Sequence, residues 1–146
     1  MLAHRRNWLL FLLFLTLAPA TCWAGDVTGL YDCVGDNAGG GQYKGTVFIS
    51  KSGDAYKLEW NIAGRTHQGI ALLTGDVLSS SWISKQVAPG GGVVVTGGVV
   101  VYKVEKNGRL SGKWVGHGGG KVLTEVLTPQ RRVVSNNRSA GAVAKK

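Results

Sequence analysis

Apolar and polar residues alternate along most of the chain beyond its N-terminal segment. The clearest case is the run from Ala55 to Ile62, in which Tyr56, Leu58, Trp60 and Ile62 alternate with polar residues. A period of two places successive side chains on opposite faces of a strand, and it is typical of an antiparallel sheet with one face in water. No segment shows a convincing helical period. The pattern therefore predicts an all-β domain.

Eight strands are predicted, and short loops rich in turn-forming residues separate them. They cover residues 29–34, 43–50, 55–62, 65–73, 77–83, 93–104 (interrupted at 96–98), 109–115 and 122–127. We expect a single antiparallel up-and-down barrel of about eight strands, of the calycin-like kind, because closure removes exposed strand edges. A two-sheet β-sandwich is the alternative. The uncharged run Val93–Val101 would promote aggregation at an edge, so we expect it in the interior.

The turn at Asn107-Gly108 sets the register of the central predicted hairpin. Asn-Gly between apolar-rich runs is a strong hairpin signal. A three-residue loop ending at Gly108 makes one face wholly apolar, whereas a two-residue loop would mix charged and apolar side chains on each face. The favoured loop pairs Val104 with Leu110, Tyr102 with Gly112, whose bare backbone the Tyr102 ring can cover, and Val100 with Trp114.

A second hairpin is predicted around residues 51–54. A four-residue loop there pairs Ile49 with Tyr56 and Val47 with Leu58. These pairs also keep the apolar side chains on one face.

The first 24 residues are predicted to be a secretory signal peptide. Arg5 and Arg6 form a positive region, residues 8–17 form an apolar region, and residues 18–24 are mostly small. The apolar region is short for a membrane span. We therefore expect a protein exported to the periplasm or secreted, with no transmembrane span.

Two cleavage sites fit the signal peptide, one after Ala20 and one after Ala24, and the second has the more usual spacing. The choice decides the chemistry of Cys33. Cleavage after Ala24 removes Cys22 and leaves Cys33 alone. Cleavage after Ala20 keeps both residues and allows a Cys22–Cys33 disulfide in an oxidising compartment.

The formal net charge of +9 is concentrated at the ends of the chain. Between the signal peptide and residue 128 there are ten basic and eight acidic residues. Residues 129–146 are expected to be a disordered basic tail. Its basic residues either contact an anionic surface or only improve solubility; they are Arg131, Arg132, Arg138, Lys145 and Lys146.

Aromatic residues at inward-facing positions are the candidates for a ligand site. They either line a barrel cavity or simply fill the core, because an eight-stranded barrel can be filled by its own side chains or hold one small ligand. Glu125 shares a strand face with Leu123 and Leu127, so it points inward if those leucines do. In the alternative, the face with Val and Thr is inward and Glu125 is in water. The candidate ligand-binding residues are Tyr43, Trp60, Trp82, Tyr102, Trp114 and Glu125.

The sequence offers little support for a phosphate-binding, catalytic, metal or nucleic-acid-binding site. Residues 118–121 are Gly-Gly-Gly-Lys, but they lack the spacing of a phosphate loop and precede a strand. Cys33 with a distant histidine is a less favoured nucleophile pair than a small packed side chain. His67 and His117 show no metal-ligand spacing, and no basic face carries interleaved aromatics for nucleic acid. We predict no catalytic residue, no metal and no cofactor.

Glycine and aromatic positions across residues 25–128 give the chain a resemblance to a family. The matching residues are Gly29, Tyr31, Gly35 and Asn37; Tyr43, Gly45, Val47 and Ile49; Tyr56 and Trp60; Gly108, Leu110, Gly112 and Trp114; Glu125 and Leu127. The chain resembles small exported bacterial β-rich proteins that are often labelled hypothetical or fibronectin-binding. It departs from them after Asn37, where Ala-Gly-Gly replaces Pro-Asp-Gly. The resemblance implies an exported β protein and assigns no functional residue.

Together these features favour a non-enzymatic exported binding module. Its partner is expected to be a matrix or envelope protein, or a small apolar ligand held in the barrel. The alternative is a structural envelope protein without a discrete ligand.

Overall fold

The computed structural model describes residues 25–130, which form a closed barrel of eight antiparallel strands in sequential order. This confirms the predicted up-and-down barrel over the sandwich. The strands are β1 (Gly29–Asp36), β2 (Gln42–Ser52), β3 (Ala55–Ile62), β4 (Arg65–Thr74), β5 (Val77–Val87), β6 (Val93–Val104), β7 (Leu110–Gly116) and β8 (Leu123–Pro129). Within residues 25–130, no helix is long and apolar enough to cross a membrane. The predicted signal peptide and most of the basic tail lie outside the described residues.

The two ends of the barrel differ in what covers them. The β2–β3, β4–β5 and β6–β7 turns lie at one end, which we call the closed end, together with residues 25–28. There Val27 is buried and its carbonyl oxygen accepts a hydrogen bond of 2.9 Å from the Tyr31 hydroxyl. Ile49, Leu58 and Leu78 are among the buried side chains of the core. The other four hairpin loops surround the opposite end, which we call the open end.

The β6–β7 hairpin has the predicted register. Val104 pairs with Leu110 and Tyr102 with Gly112. The Glu105 amide donates to the Arg109 carbonyl at 2.8 Å, which closes a three-residue loop. Gly108 has a φ of 81°, a left-handed conformation in which a Cβ is costly. The Asn-Gly turn and the apolar face therefore determine this register together.

The predicted pairing of β2 with β3 is wrong by two residues. Ile49 pairs with Leu58 and Val47 with Trp60, and the strands extend to a two-residue turn at 53–54. Gly53 adopts a φ of 62° there, as tight hairpin turns require. A shift of two residues leaves every side chain on its original face, so the apolar pattern agrees with both registers.

The expectation that the Val93–Val101 run lies in the interior is also wrong. Val93, Val94 and Val95 are 65%, 50% and 58% exposed, whereas Val100 is buried. β6 has twelve residues and β7 has seven, and their pairing begins only at Gly98. The outer part of the β5–β6 hairpin therefore projects from the open end, and Thr96-Gly97-Gly98 continues the strand instead of interrupting it.

Candidate functional site

A row of five residues crosses five neighbouring strands of the barrel wall, with Glu125 at its centre. Glu125 on β8 lies opposite Gly35 on β1 and Gly112 on β7. Gly35 in turn lies opposite Tyr43 on β2, and Gly112 lies opposite Tyr102 on β6. The strand registers thus place one tyrosine on each side of the carboxylate, separated from it by a glycine.

The two glycines leave room for the tyrosine rings to lie flat against the wall. A Cβ on Gly35 would lie 2.9 Å from Cε2 of Tyr43, and one on Gly112 would lie 2.6 Å from Cε1 of Tyr102. Both distances are far shorter than a van der Waals contact, so a side chain at either glycine would force the tyrosine ring to move. Because both rings cross a bare backbone, both hydroxyl groups reach Glu125.

Glu125 is 3% exposed and accepts three hydrogen bonds. The Tyr43 hydroxyl donates to Oε2 at 2.5 Å, the Trp60 Nε1 donates to Oε1 at 3.1 Å, and the Tyr102 hydroxyl also donates to Oε1. Leu123 and Leu127 are buried as well, so the alternative with the Val and Thr face inward is wrong. Every group that contacts this carboxylate through these bonds is a neutral donor.

No cation of the described residues balances the charge of this carboxylate by direct contact. Across residues 25–130 the only ion pair joins Lys103 and Asp76, at 3.8 Å on the barrel surface. Transferring a carboxylate from water into a protein interior is costly unless hydrogen bonds and an opposite charge compensate it. Here the hydrogen bonds are present and the opposite charge is not.

Cys33 lies inside the barrel beside Glu125, with 1% of its surface exposed. Burial, reinforced by the charge of the neighbouring Glu125, raises the pKa of the Cys33 thiol far above its ordinary value. Because the thiolate is the nucleophilic form, this environment makes Cys33 a packed side chain with little nucleophilic character. The alternative with a Cys22–Cys33 disulfide involves a residue outside the described part of the chain.

A cavity of about 400 Å³ opens at the open end, directly above this polar cluster. Aromatic rings follow one another around its wall. The ring centroids of Tyr43 and Trp114 are 6.5 Å apart, those of Trp114 and Trp82 are 6.0 Å apart, and those of Trp82 and His67 are 6.0 Å apart. The cavity is lined by Asn37, Tyr43, Trp60, Ile62, Ala63, Arg65, His67, Trp82, Val100, Trp114 and Glu125.

Five of the six ligand-site candidates from the sequence line this cavity. The exception is Tyr102, which is completely buried and reaches the cavity only through its hydrogen bond to Glu125. The basic residues proposed for anionic contacts, from Arg131 onward, lie outside the described residues. The aromatic wall and the carboxylate were therefore predicted from the sequence, whereas the polar rim of the cavity, formed by Asn37, Arg65 and His67, was not.

His67 is the most informative of the missed residues. It pairs with Trp60 across the tight turn between β3 and β4. A two-residue turn at Ala63-Gly64 gives this pairing from the sequence alone, and because paired residues share a face, it would have predicted that His67 faces inward as Trp60 does. Burial lowers the pKa of the His67 imidazole, and the charge of Arg65 lowers it further, while Glu125 acts in the opposite direction. The neutral imidazole is therefore favoured, and Arg65, which is exposed to solvent, carries the formal charge at the rim.

Comparisons with known proteins define the fold and leave the family open. No protein-family model matches the chain, and no curated protein matches it. Among solved structures, a redesigned β-barrel is similar with a TM-score of 0.57 and 13% identity, over 72% of this chain and 92% of that one. The redesigned β-barrel mFAP1, bound to DFHBI, is similar with a TM-score of 0.54 and 16% identity, over 70% of this chain and 94% of that one.

The tyrosines of the cluster predict a loss of stability at alkaline pH. Burial, then the charge of Glu125, raises the pKa of the Tyr102 hydroxyl well above 10.0. The folded protein keeps this proton where the unfolded chain loses it, so the stabilisation is fully present below pH 10 and is lost as the pH rises. One such group gives a slope of about 1.4 kcal/mol per pH unit. Urea denaturation between pH 9 and 11.5 measures how the free energy of unfolding falls with pH. For Tyr102→Phe this fall should be less steep than for the wild type by about that amount. Equal slopes would show that Tyr102 is not the group responsible.

Proposed function

We propose that the chain is an exported, non-enzymatic β-barrel that binds one small ligand with a largely apolar body in the open-end cavity. The observation that carries this proposal is the aromatic wall above a buried carboxylate. Ligand pockets are commonly apolar and aromatic clefts with a few placed polar groups, and the volume of about 400 Å³ lies within their usual range. A completely filled barrel would need no such opening.

Additional support comes from the sequence and from the fold. The charged, apolar and small-residue regions of the first 24 residues support export. The structurally similar mFAP1 is described as bound to DFHBI, so a barrel of this kind can hold a small molecule. That similarity concerns the fold alone. Contact with a matrix or envelope partner would use the barrel surface together with the basic tail, most of which lies outside the described residues.

Native mass spectrometry of protein recovered from its own compartment is the first test. We expect a mass above that of the mature polypeptide, with the excess lost on denaturation. The polypeptide mass also reports which cleavage site is used. A bare polypeptide mass, together with no binding in a fluorescence screen of small aromatic and aliphatic compounds, would contradict the proposal and favour a structural envelope protein.

Two neighbouring residues of β5 provide a matched pair of variants for the ligand identified in this way. Trp82 lines the cavity, whereas Ile83 points to the outside of the same strand and is exposed. Trp82→Ala is expected to weaken binding by about tenfold, because an aromatic contact contributes about 0.5–1.5 kcal/mol beyond the area it buries and about 1.4 kcal/mol corresponds to a tenfold change. Ile83→Ala should bind as the wild type does, and equal losses in both variants would place the ligand elsewhere.

A further inference from the structure

We infer that the ligand of the open-end cavity is a small organic cation, an ammonium group attached to an apolar body. This inference rests on the proposed function and adds the charge of the ligand to it. It follows from three features of the site: a carboxylate without a counter-cation, an unused acceptor position on that carboxylate, and a wall of aromatic rings.

The first feature is the charge balance of the barrel interior. Glu125 is the only buried acidic or basic side chain among residues 25–130, and neutral groups supply its three hydrogen bonds. The nearest formal charge on the cavity lining belongs to Arg65, whose exposure to water screens it. A cationic ligand would supply the opposite charge that the barrel itself does not.

The second feature is the hydrogen-bonding capacity that remains on the carboxylate of Glu125. A carboxylate offers about four lone-pair sites on its two oxygens. Oε1 receives two donors, from Trp60 and Tyr102, while Oε2 receives only the Tyr43 hydroxyl. Oε2 therefore keeps capacity for one further hydrogen bond, and because Glu125 lines the cavity, a ligand held there could supply the donor.

The third feature is the chemistry of the wall. Trp60, Trp82, Trp114 and Tyr43 come from four different strands and surround the space above Glu125. The faces of aromatic rings attract cations, tryptophan most strongly, and such cages recognise ammonium groups. An anionic ligand would be repelled by the carboxylate and would gain nothing from the electron-rich face of a ring. A neutral apolar ligand would use the rings and leave the charge of Glu125 unbalanced.

Three probes of similar size and different charge test the inference on the full mature chain: 2-phenylethylamine, 2-phenylethanol and 3-phenylpropionate. Calorimetry or tryptophan fluorescence at pH 7 is expected to show the amine binding at least about tenfold more tightly than the alcohol, a difference of 1.4 kcal/mol. The propionate should bind most weakly. Non-specific attraction to the mature chain, which stays net positive after Arg5 and Arg6 are removed with the signal peptide, would produce the opposite order.

A pair of glutamate variants tests whether the charge of Glu125 causes the preference for the amine over the alcohol. Glu125→Gln removes the charge and keeps the shape, so the amine and the alcohol should bind with similar affinity. Glu59→Gln changes an exposed glutamate on the outer face of β3 and should keep the wild-type ratio. If Glu125→Gln does not fold, the comparison of the three probes on the wild type decides the question by itself.

The outcomes separate this inference from the proposed function. If the alcohol or the propionate binds as tightly as the amine, the cationic ligand is excluded and the binding cavity stands. If none of the probes binds and the recovered protein carries no excess mass, both proposals fail. An amine preference that survives in Glu125→Gln would also overturn the inference, because the charge would then come from another group.

Discussion

Gly112→Ala is expected to destabilise the protein by about 3 kcal/mol, although it adds a single methyl group. The new Cβ would lie within 2.6 Å of the Tyr102 ring and 3.3 Å from the Glu125 carbonyl oxygen. Tyr102 is completely buried, and moving its ring would break its hydrogen bond to Glu125. Overpacking of this kind costs about 1–3 kcal/mol, and losing a hydrogen bond to a charged group costs about 1.5–3 kcal/mol.

Gly116→Ala is the matched control for that substitution. Gly116 lies on the same strand and on the same face, and the nearest atom to an added Cβ is the Gly97 carbonyl oxygen at 4.0 Å. We expect its free energy of unfolding, measured by urea denaturation, to change by less than about 1 kcal/mol. Equal losses in the two variants would mean that any side chain at a β7 glycine is harmful, and the close packing of Tyr102 would then not be the cause.

Local patterns predicted most of the fold. The alternation in Ala55–Ile62 and the Asn-Gly turn are signals within single strands and hairpins, and they produced the number of strands and the register of β6 with β7. Barrel closure required one more argument, the avoidance of exposed edges. The pairing of β1 with β8 joins residues about a hundred positions apart, and no local pattern specifies it.

The two errors in the fold have physical reasons. A shift of two residues between β2 and β3 keeps all side chains on their faces, so hydrophobicity could not distinguish the two registers. The projecting valines were predicted to lie in the interior because an uncharged apolar run at a strand edge would promote aggregation. Their exposure follows from unequal strand lengths, since β7 ends where β6 continues, and strand length is the least reliable part of a sequence-based prediction.

Part of the site was predictable from strand faces and hairpin registers, as most of the fold was. Face parity coupled the orientation of Glu125 to that of Leu123 and Leu127 but left both orientations open, and the structure shows the inward one. The hairpin register predicted the Tyr102 ring above Gly112. The matching contact between Tyr43 and Gly35 was missed because it crosses a loop whose length sets no register. That both contacts meet at one carboxylate is a property of closure, which brings β1 and β7 to the two sides of β8.

Glu125→Leu is expected to destabilise the protein by about 4 kcal/mol. The substitution replaces the acceptor of three hydrogen bonds by an apolar group of similar size. The hydroxyls of Tyr43 and Tyr102 and the indole N–H of Trp60 would then be left in the interior without their acceptor. Each buried donor without a partner costs about 1–3 kcal/mol, although rotation of Tyr43 toward the cavity reduces the sum.

The triple variant Tyr43→Phe, Tyr102→Phe, Glu125→Leu should recover at least about half of that loss, because removing both partners of a buried hydrogen bond is far less costly than removing one. Urea denaturation of the single and triple variants measures the difference. If the triple variant is no more stable than Glu125→Leu, unpaired donors are not the cause of the loss. If it approaches the wild type, the polar cluster is dispensable for folding, as apolar replacements of buried charged groups often show. Its presence beneath an open cavity would then be explained by what the cavity binds.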